Sequence, residues 1–134
     1  MSHPPTIAIV DDDEAVRTAT ASLVRSLGYA ALTYACAQDY LRDGPGSPPD
    51  CLITDVQMPG MTGVELQERL RAEGHALPII VVTAFASEAL RQRALASGAF
   101  AFLEKPVGGD LMEQSLQLAL EECRRRRAAE PSAD

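Results

Sequence analysis

Four acids in a row, Asp11, Asp12, Asp13 and Glu14, follow directly on the apolar run TIAIV at 6–10. A single acid, Asp55, follows a second apolar run, CLIT at 51–54. A hydroxyl, Thr83, ends a third, PIIVVT at 78–83. A lysine and a proline, Lys105 and Pro106, come just after a fourth, AFAFL at 99–103. Carboxylates brought together repel one another and are driven to take up protons unless a cation compensates. A hard divalent ion does this, and Mg2+ suits a site with few carboxylates and several waters. Lys105 supplies a second positive charge. Carboxylates, Mg2+ and lysine together suit phosphoryl chemistry, in which a carboxylate is the nucleophile and forms an aspartyl phosphate. Such a reaction needs in-line positioning and neutralised oxygens more than it needs covalent help. The Thr83 hydroxyl can donate a hydrogen bond to a phosphoryl oxygen.

This chemistry needs the four run ends to meet, which depends on the elements between them. Each run is short, apolar and rich in β-branched residues, and so reads as a buried strand. YAALTY at 29–34 reads as a further strand. Helical spacing places Val16, Ala19, Leu23, Val24 and Leu27 on one face of a helix over 14–27, which Gly28 stops. A short helix covers 37–43, and the breakers DGPGSPPD at 43–50 form a loop. MPGMTG at 58–63 is a turn. Thr62 and Glu65 form a capping box for a helix to about 73. Ser87 caps a helix to about 97, ended by Gly98. Asp110 and Glu113 suggest a second capping arrangement for a last helix, whose apolar stripe is Met112, Leu116, Ala119 and Cys123.

Five strands alternating with five helices predict an α/β fold with a parallel sheet covered on both faces. Right-handed crossovers favour the flavodoxin-like (βα)5 three-layer sandwich with strand order 2-1-3-4-5. Ligands bind such sheets beyond the carboxyl ends of the strands. Strands one, three, four and five are neighbours in this order, so Asp11, Asp12, Asp55, Thr83 and Lys105 converge there. Asp13 is better read as the cap of the first helix.

IVDDDEAVR at 9–17, LITDVQMPGMTGVEL at 52–66, VVTA at 81–84 and GAFAFLEKP at 98–106 together resemble the motifs of CheY-like response regulator receiver domains. The flavour is similar to receivers of the nitrogen-fixation regulator class. The resemblance implies a phosphorelay component of a two-component system, a phosphoacceptor switch rather than a metabolic enzyme. It implies that a sensor histidine kinase or phosphotransfer protein passes a phosphoryl group to Asp55. It implies that Asp12, Asp55 and the Gln57 carbonyl hold Mg2+ directly, with Asp11 acting largely through water. Lys105 is implied to pair with Asp55 and then with the phosphoryl group, across a cis Lys105–Pro106 bond. Thr83 and Phe102 are implied to be the switch residues. They change the face built from the fourth helix, the fifth strand and the fifth helix, through which the chain can pair with itself. Gln57 and Phe85 flank the site at positions that tune the lifetime of the phosphorylated state.

Rival chemistries fit less well. An aspartyl phosphatase of the haloacid dehalogenase type needs a second aspartate two residues after the nucleophile, where this chain has Gln57. A flavin-binding sheet needs a Ser/Thr/Gly-rich loop after the first strand, where this chain has DDDE. A pseudo-receiver would lack one of the five groups. The 134-residue chain, with 46% hydrophobic residues, a net charge of −7 and no Trp, fits one globular domain with an aliphatic core. An acidic field gives no support for nucleic-acid or membrane binding. Cys36, Cys51 and Cys123 show no metal-ligand spacing and read as reduced thiols. His3 and His75 read as surface residues. No apolar run is long enough to span a bilayer and no signal peptide is evident, so a cytoplasmic protein is expected. The domain is expected over 1–123. The basic run Arg124–Arg127 reads as a frayed, solvated last helical turn whose cations complement the helix C-terminus, and 124–134 as a basic then polar tail without an output domain. In a longer protein the same run would begin a linker to a DNA-binding domain.

Overall fold

The computed structural model describes residues 4–44 and 46–129. Five parallel strands, β1 (Thr6–Val10), β2 (Ala30–Tyr34), β3 (Cys51–Asp55), β4 (Ile79–Thr83) and β5 (Ala101–Glu104), form one sheet in the order β2-β1-β3-β4-β5. The helices between and after them are α1 (Glu14–Ser26), α2 (Ala37–Asp43), α3 (Gly63–Ala72), α4 (Glu88–Ala96) and α5 (Gly109–Ala129). The fold is the flavodoxin-like arrangement expected from the strand-helix alternation.

Side chains alternate across a strand, so each strand feeds two cores. Ile7 and Ile9 of β1, Ile53 of β3 and Ile80 and Val82 of β4 pack with α1 and α5. Ala8 and Val10, Leu52, and Ile79 and Val81 pack on the other face with α2, α3 and α4. β3 and β4 are buried throughout, which is why their sequences read as unbroken apolar runs.

Local signals act where the sequence puts them. Asp13 caps α1, its carboxylate accepting from the Val16 N–H. Thr62 and Glu65 exchange both hydrogen bonds of a capping box at α3. Ser87 caps α4. Cys36 caps α2 through its sulfur, which accepts from Asp39 N–H at 3.4 Å. Cys51 and Cys123 are buried, and all three thiols are free. His75 is on the surface beside Glu73, and His3 lies outside the described residues.

Two details differ from expectation. The fifth strand starts at Ala101, because Ala99 N–H is held by the Ala94 carbonyl at the end of α4. Asp110 does not cap α5. The helix has begun at Gly109, and the Met112 N–H bonds the Gly108 carbonyl, so Asp110 is already inside the first turn. There its charge still complements the helix N-terminus. α5 runs to Ala129, so Arg124–Arg127 is helical, as expected of a last helical turn. Glu122 pairs with Arg125 and Arg126 one turn on, Arg126 donates to the Ala76 carbonyl, and Arg127 bonds Asp50 at 2.6 Å. Residues 130–134 of the expected tail lie outside the described residues. Among the described residues no helix is long and apolar enough to cross a membrane.

Candidate functional site

β1 delivers Asp11 to the carboxyl edge of the sheet, where its side chain is buried. Every polar group of this residue is engaged. Its N–H donates to the Tyr34 carbonyl, and its carbonyl accepts from Arg17 of α1 at 2.7 Å. One carboxylate oxygen accepts from Asp13 N–H at 2.9 Å and the other from Lys105 Nζ at 2.9 Å. Asp12 is exposed beside it.

β3, the neighbouring strand, ends on Asp55, which is 6% exposed. Its Oδ1 accepts from Val56 N–H at 2.9 Å and lies 3.4 Å from Lys105 Nζ. Its carbonyl accepts from the buried Thr54 hydroxyl at 3.0 Å. Lys105 follows β5 and is anchored to β4 by its own N–H, which donates to the Thr83 carbonyl at 2.8 Å. The ends of the neighbouring strands β1 and β3 are thereby joined through one ammonium that comes from beyond β5. The Lys105–Pro106 peptide is cis.

Burial pushes the Asp55 carboxyl above its usual range, and the charge of Asp11 adds to this. The pull of Lys105 and the Val56 N–H only partly offsets them. Burial works to lower Lys105, but its hydrogen bond to Asp11 and the charges of Asp55 and Asp11 outweigh it, and the ammonium stays above its usual range. Carboxylate oxygens of Asp11, Asp12 and Asp55 all lie within 4.8 Å of one another. Three hard anionic donors with one ammonium between them leave a surplus of negative charge, and a small divalent cation fits that donor set.

Other expected site residues sit close by in the fold without joining the cluster. Thr83 is fully buried, and its hydroxyl accepts from Phe85 N–H at 3.1 Å. Phe102 pairs with Val81 in register and packs, half-buried, against the core under α3 and α4. Gln57 is exposed in the loop after Asp55, and Phe85 is 72% exposed.

The structure adds groups that the sequence reading did not single out. Arg17, one turn into α1, fixes the backbone of the acidic loop. Gly63, the first residue of α3, lies so close to β3 that a Cβ there would be 2.0 Å from the Asp55 carbonyl oxygen. A signal for Gly63 was available: a glycine directly after a capping threonine is a poor choice for a helix unless space is short.

The family description "Response regulator receiver domain" matches residues 7–117. The chain belongs to this family. A receiver takes a phosphoryl group on an aspartate with Mg2+, as a phosphoacceptor switch in a phosphorelay. The receiver is 35% identical over 127 residues to the transcriptional regulatory protein FixJ of Bradyrhizobium diazoefficiens, covering 95% of this chain and 59% of FixJ. It is 42% identical over 103 residues to the C4-dicarboxylate transport transcriptional regulatory protein DctR of Rhodobacter capsulatus, covering 75% of this chain and 52% of DctR. Among solved structures, the response regulator StyR superposes with a TM-score of 0.86 at 36% identity, covering 94% of this chain and 64% of that one. The FixJ N-terminal domain superposes with a TM-score of 0.81 at 32% identity, covering 90% and 96%. The receiver thus spans little more than half the length of these curated relatives.

Proposed function

We propose that Asp55 is the phosphoacceptor and that a histidine kinase or phosphotransfer protein in the cytoplasm is its donor. The observation that carries this is the Lys105 ammonium standing between the buried carboxylates of Asp11 and Asp55. The Asp55 carboxylate attacks phosphorus, an O–P bond forms, and the P–N bond of the donor phosphohistidine breaks, its electron pair returning to the imidazole. Lys105 is already in place to turn from Asp55 to the phosphoryl oxygens. Asp11, Asp12 and Asp55 would hold the Mg2+, with the Gln57 carbonyl as a further ligand. When bound, the ion neutralises the carboxylates and the charge gathering on the phosphoryl oxygens. A 510 Å³ cleft between α1 and α5 opens onto Asp11, Asp55 and Lys105 and has mainly aliphatic walls, among them Leu23 and Met112. It offers a donor an apolar seat beside the acceptor.

The Thr83 hydroxyl, now tied to Phe85 N–H, turns to the phosphoryl group and Phe102 follows it. This alters the face of α4, β5 and α5, where Leu95, Leu111 and Leu118 are exposed, and two receivers pair through it. Incubation with acetyl phosphate and Mg2+ tests the reading. Intact mass should rise by one phosphoryl group, a chelator should suppress the gain, and the phosphorylated sample should elute as a dimer. No gain in mass rejects the acceptor role, and a phosphorylated monomer rejects the pairing.

Phe85 is expected to set the lifetime of the acyl phosphate. Once Thr83 turns away, the Phe85 backbone loses its tie and the ring can settle over the site and exclude water. Phe85→Ala should shorten the half-life of the phosphorylated protein about threefold or more, by the same exclusion argument. Equal half-lives in a phosphate-release assay would remove this role.

A further inference from the structure

α4 is attached to the rest of the receiver in an unusual way. Its one buried residue is Ala94, and Leu90 is only partly covered. Apolar packing therefore holds it weakly. Its C-terminal half is instead tied to α3 by a polar seam. The Gln67 side-chain amide, fully buried, donates to the Ala94 carbonyl at 3.0 Å. Glu68 accepts two hydrogen bonds from Arg93, at 2.8 and 3.1 Å, and one from the Ser97 hydroxyl at 3.2 Å. Arg71 donates to the Gly98 carbonyl at 3.1 Å. Gln67, Glu68 and Arg71, on one side of α3, thus grip one end of α4. The other end, Ser87 and Glu88, is joined to Thr83 by a short exposed segment.

The grip is imperfect at its centre. The Ala94 carbonyl is an acceptor, so the nitrogen of the Gln67 amide must face it. The Gln67 oxygen is then buried with no donor among the described residues. A buried acceptor without a donor penalises the seating that contains it. A small slide of α4 that offers it a donor is therefore not strongly opposed by packing, and the seam opposes it chiefly through the hydrogen bonds named above.

We propose that the α3–α4 seam, carried chiefly by Glu68 with Arg93 and Ser97, clamps α4 in the unphosphorylated seating and so sets how readily the receiver switches. The inference rests on the phosphoacceptor reading above and concerns a contact that touches neither Asp55 nor the ion. Drawing Thr83 toward a phosphoryl group pulls on the segment leading into α4. The seam resists that pull, and by linkage whatever resists it weakens binding of the phosphoryl group or its mimic.

The test titrates beryllofluoride into the full chain with Mg2+ and compares apparent affinities by calorimetry. Gln67→Met removes the buried amide at little change in volume. The Ala94 carbonyl keeps a partner in Ala99 N–H at 3.0 Å. Glu68→Arg and Arg93→Glu, each alone, should bind the mimic about fivefold tighter or more, the lower end of common coupling energies, and combining the two should restore the pair and return affinity toward wild type. Gln67→Met loses the orphaned oxygen together with the bond to Ala94, so it should move affinity less than either. Both charge variants lie at the surface, where a failure to fold is not expected. Wild-type or weaker affinity in Glu68→Arg and Arg93→Glu overturns the clamp. If wild type itself ignores beryllofluoride, the phosphoacceptor reading fails first, and separately.

Discussion

Asp55→Asn should abolish phosphoryl uptake from acetyl phosphate and, in the same protein, raise the metal-free unfolding temperature at neutral pH. The first effect follows because an amide is not a nucleophile toward phosphorus. The neighbouring carboxylates of Asp11 and Asp12 remain, so the variant also tests whether either can substitute. The second effect follows from the raised pKa of Asp55, which burial and the charge of Asp11 produce. A carboxyl whose folded pKa lies above its unfolded value favours the fold when protonated. That contribution is complete below the unfolded pKa, about 3.9 for aspartate. It is lost as pH rises through the folded pKa. Wild type loses it as pH rises, whereas asparagine is neutral at every pH. The variant's advantage should therefore be largest at pH 7 and shrink as pH falls toward 4. Lys105 does not reverse the sign, since it keeps its 2.9 Å bond to Asp11. Mg2+ should stabilise the two proteins unequally. At a hundredfold excess over its dissociation constant it adds about 2.7 kcal/mol to wild type. It should add less to the variant, which lacks one anionic ligand. Thermal melts at pH 4 and pH 7, with and without Mg2+, read all of this, alongside intact mass for uptake. Persistent uptake would move the acceptor to another residue, and equal melting temperatures at pH 7 would mean that the buried charge carries no penalty.

Much of this site was legible in the sequence because parallel, buried strands announce themselves as short apolar runs, and their ends are where the first polar letters fall. Asp11, Asp55 and Thr83 are such letters, and Lys105 comes directly after Glu104, the first polar letter past AFAFL. Convergence then required only the strand order, which right-handed crossovers nearly dictate. The capping residues Asp13, Thr62 and Ser87 were legible for a similar reason, since capping is settled within four residues. Features that depend on partners far along the chain were not legible. Gln67 reads as a surface residue of an amphipathic helix until α4 is laid across it. Arg124–Arg127 reads as a solvated helix end, because the sequence does not show that Asp50 and the Ala76 carbonyl lie beside the last turns of α5. Asp110 and Glu113 carry the letters of a capping box, but the chain had already turned helical at Gly109, and a capping side chain works only from just outside the helix.

Gly63→Ala should lower both stability and phosphoryl uptake sharply, although helix propensity alone argues the reverse. Alanine in place of glycine inside a helix is favourable by about 1 kcal/mol. Gly63 has no positive φ to protect, so backbone freedom does not explain its presence. Contact distance does. The added methyl would stand 2.0 Å from the Asp55 carbonyl oxygen, 2.9 Å from its carbon and 3.0 Å from the Thr54 hydroxyl oxygen. The two closest atoms belong to the backbone of β3 and cannot rotate aside, so α3 or the strand end must shift. Overpacking of this kind costs about 1–3 kcal/mol, and more where rigid groups collide. That exceeds the propensity gain, so the net effect is destabilising, by several degrees in melting temperature. The shift also falls on the peptide that carries the proposed acceptor carboxylate, where a misplacement of about 1 Å can reduce rate about a hundredfold. Gly46→Ala is the matched control: Gly46 is exposed, has nothing within 4 Å of its Cβ position, and should change neither quantity measurably. If Gly63→Ala melts at or above wild type and accepts phosphoryl groups at the wild-type rate, β3 and α3 have room to part. The close approach of a helix to the strand that presents Asp55 would then not be what fixes the position of its carboxylate.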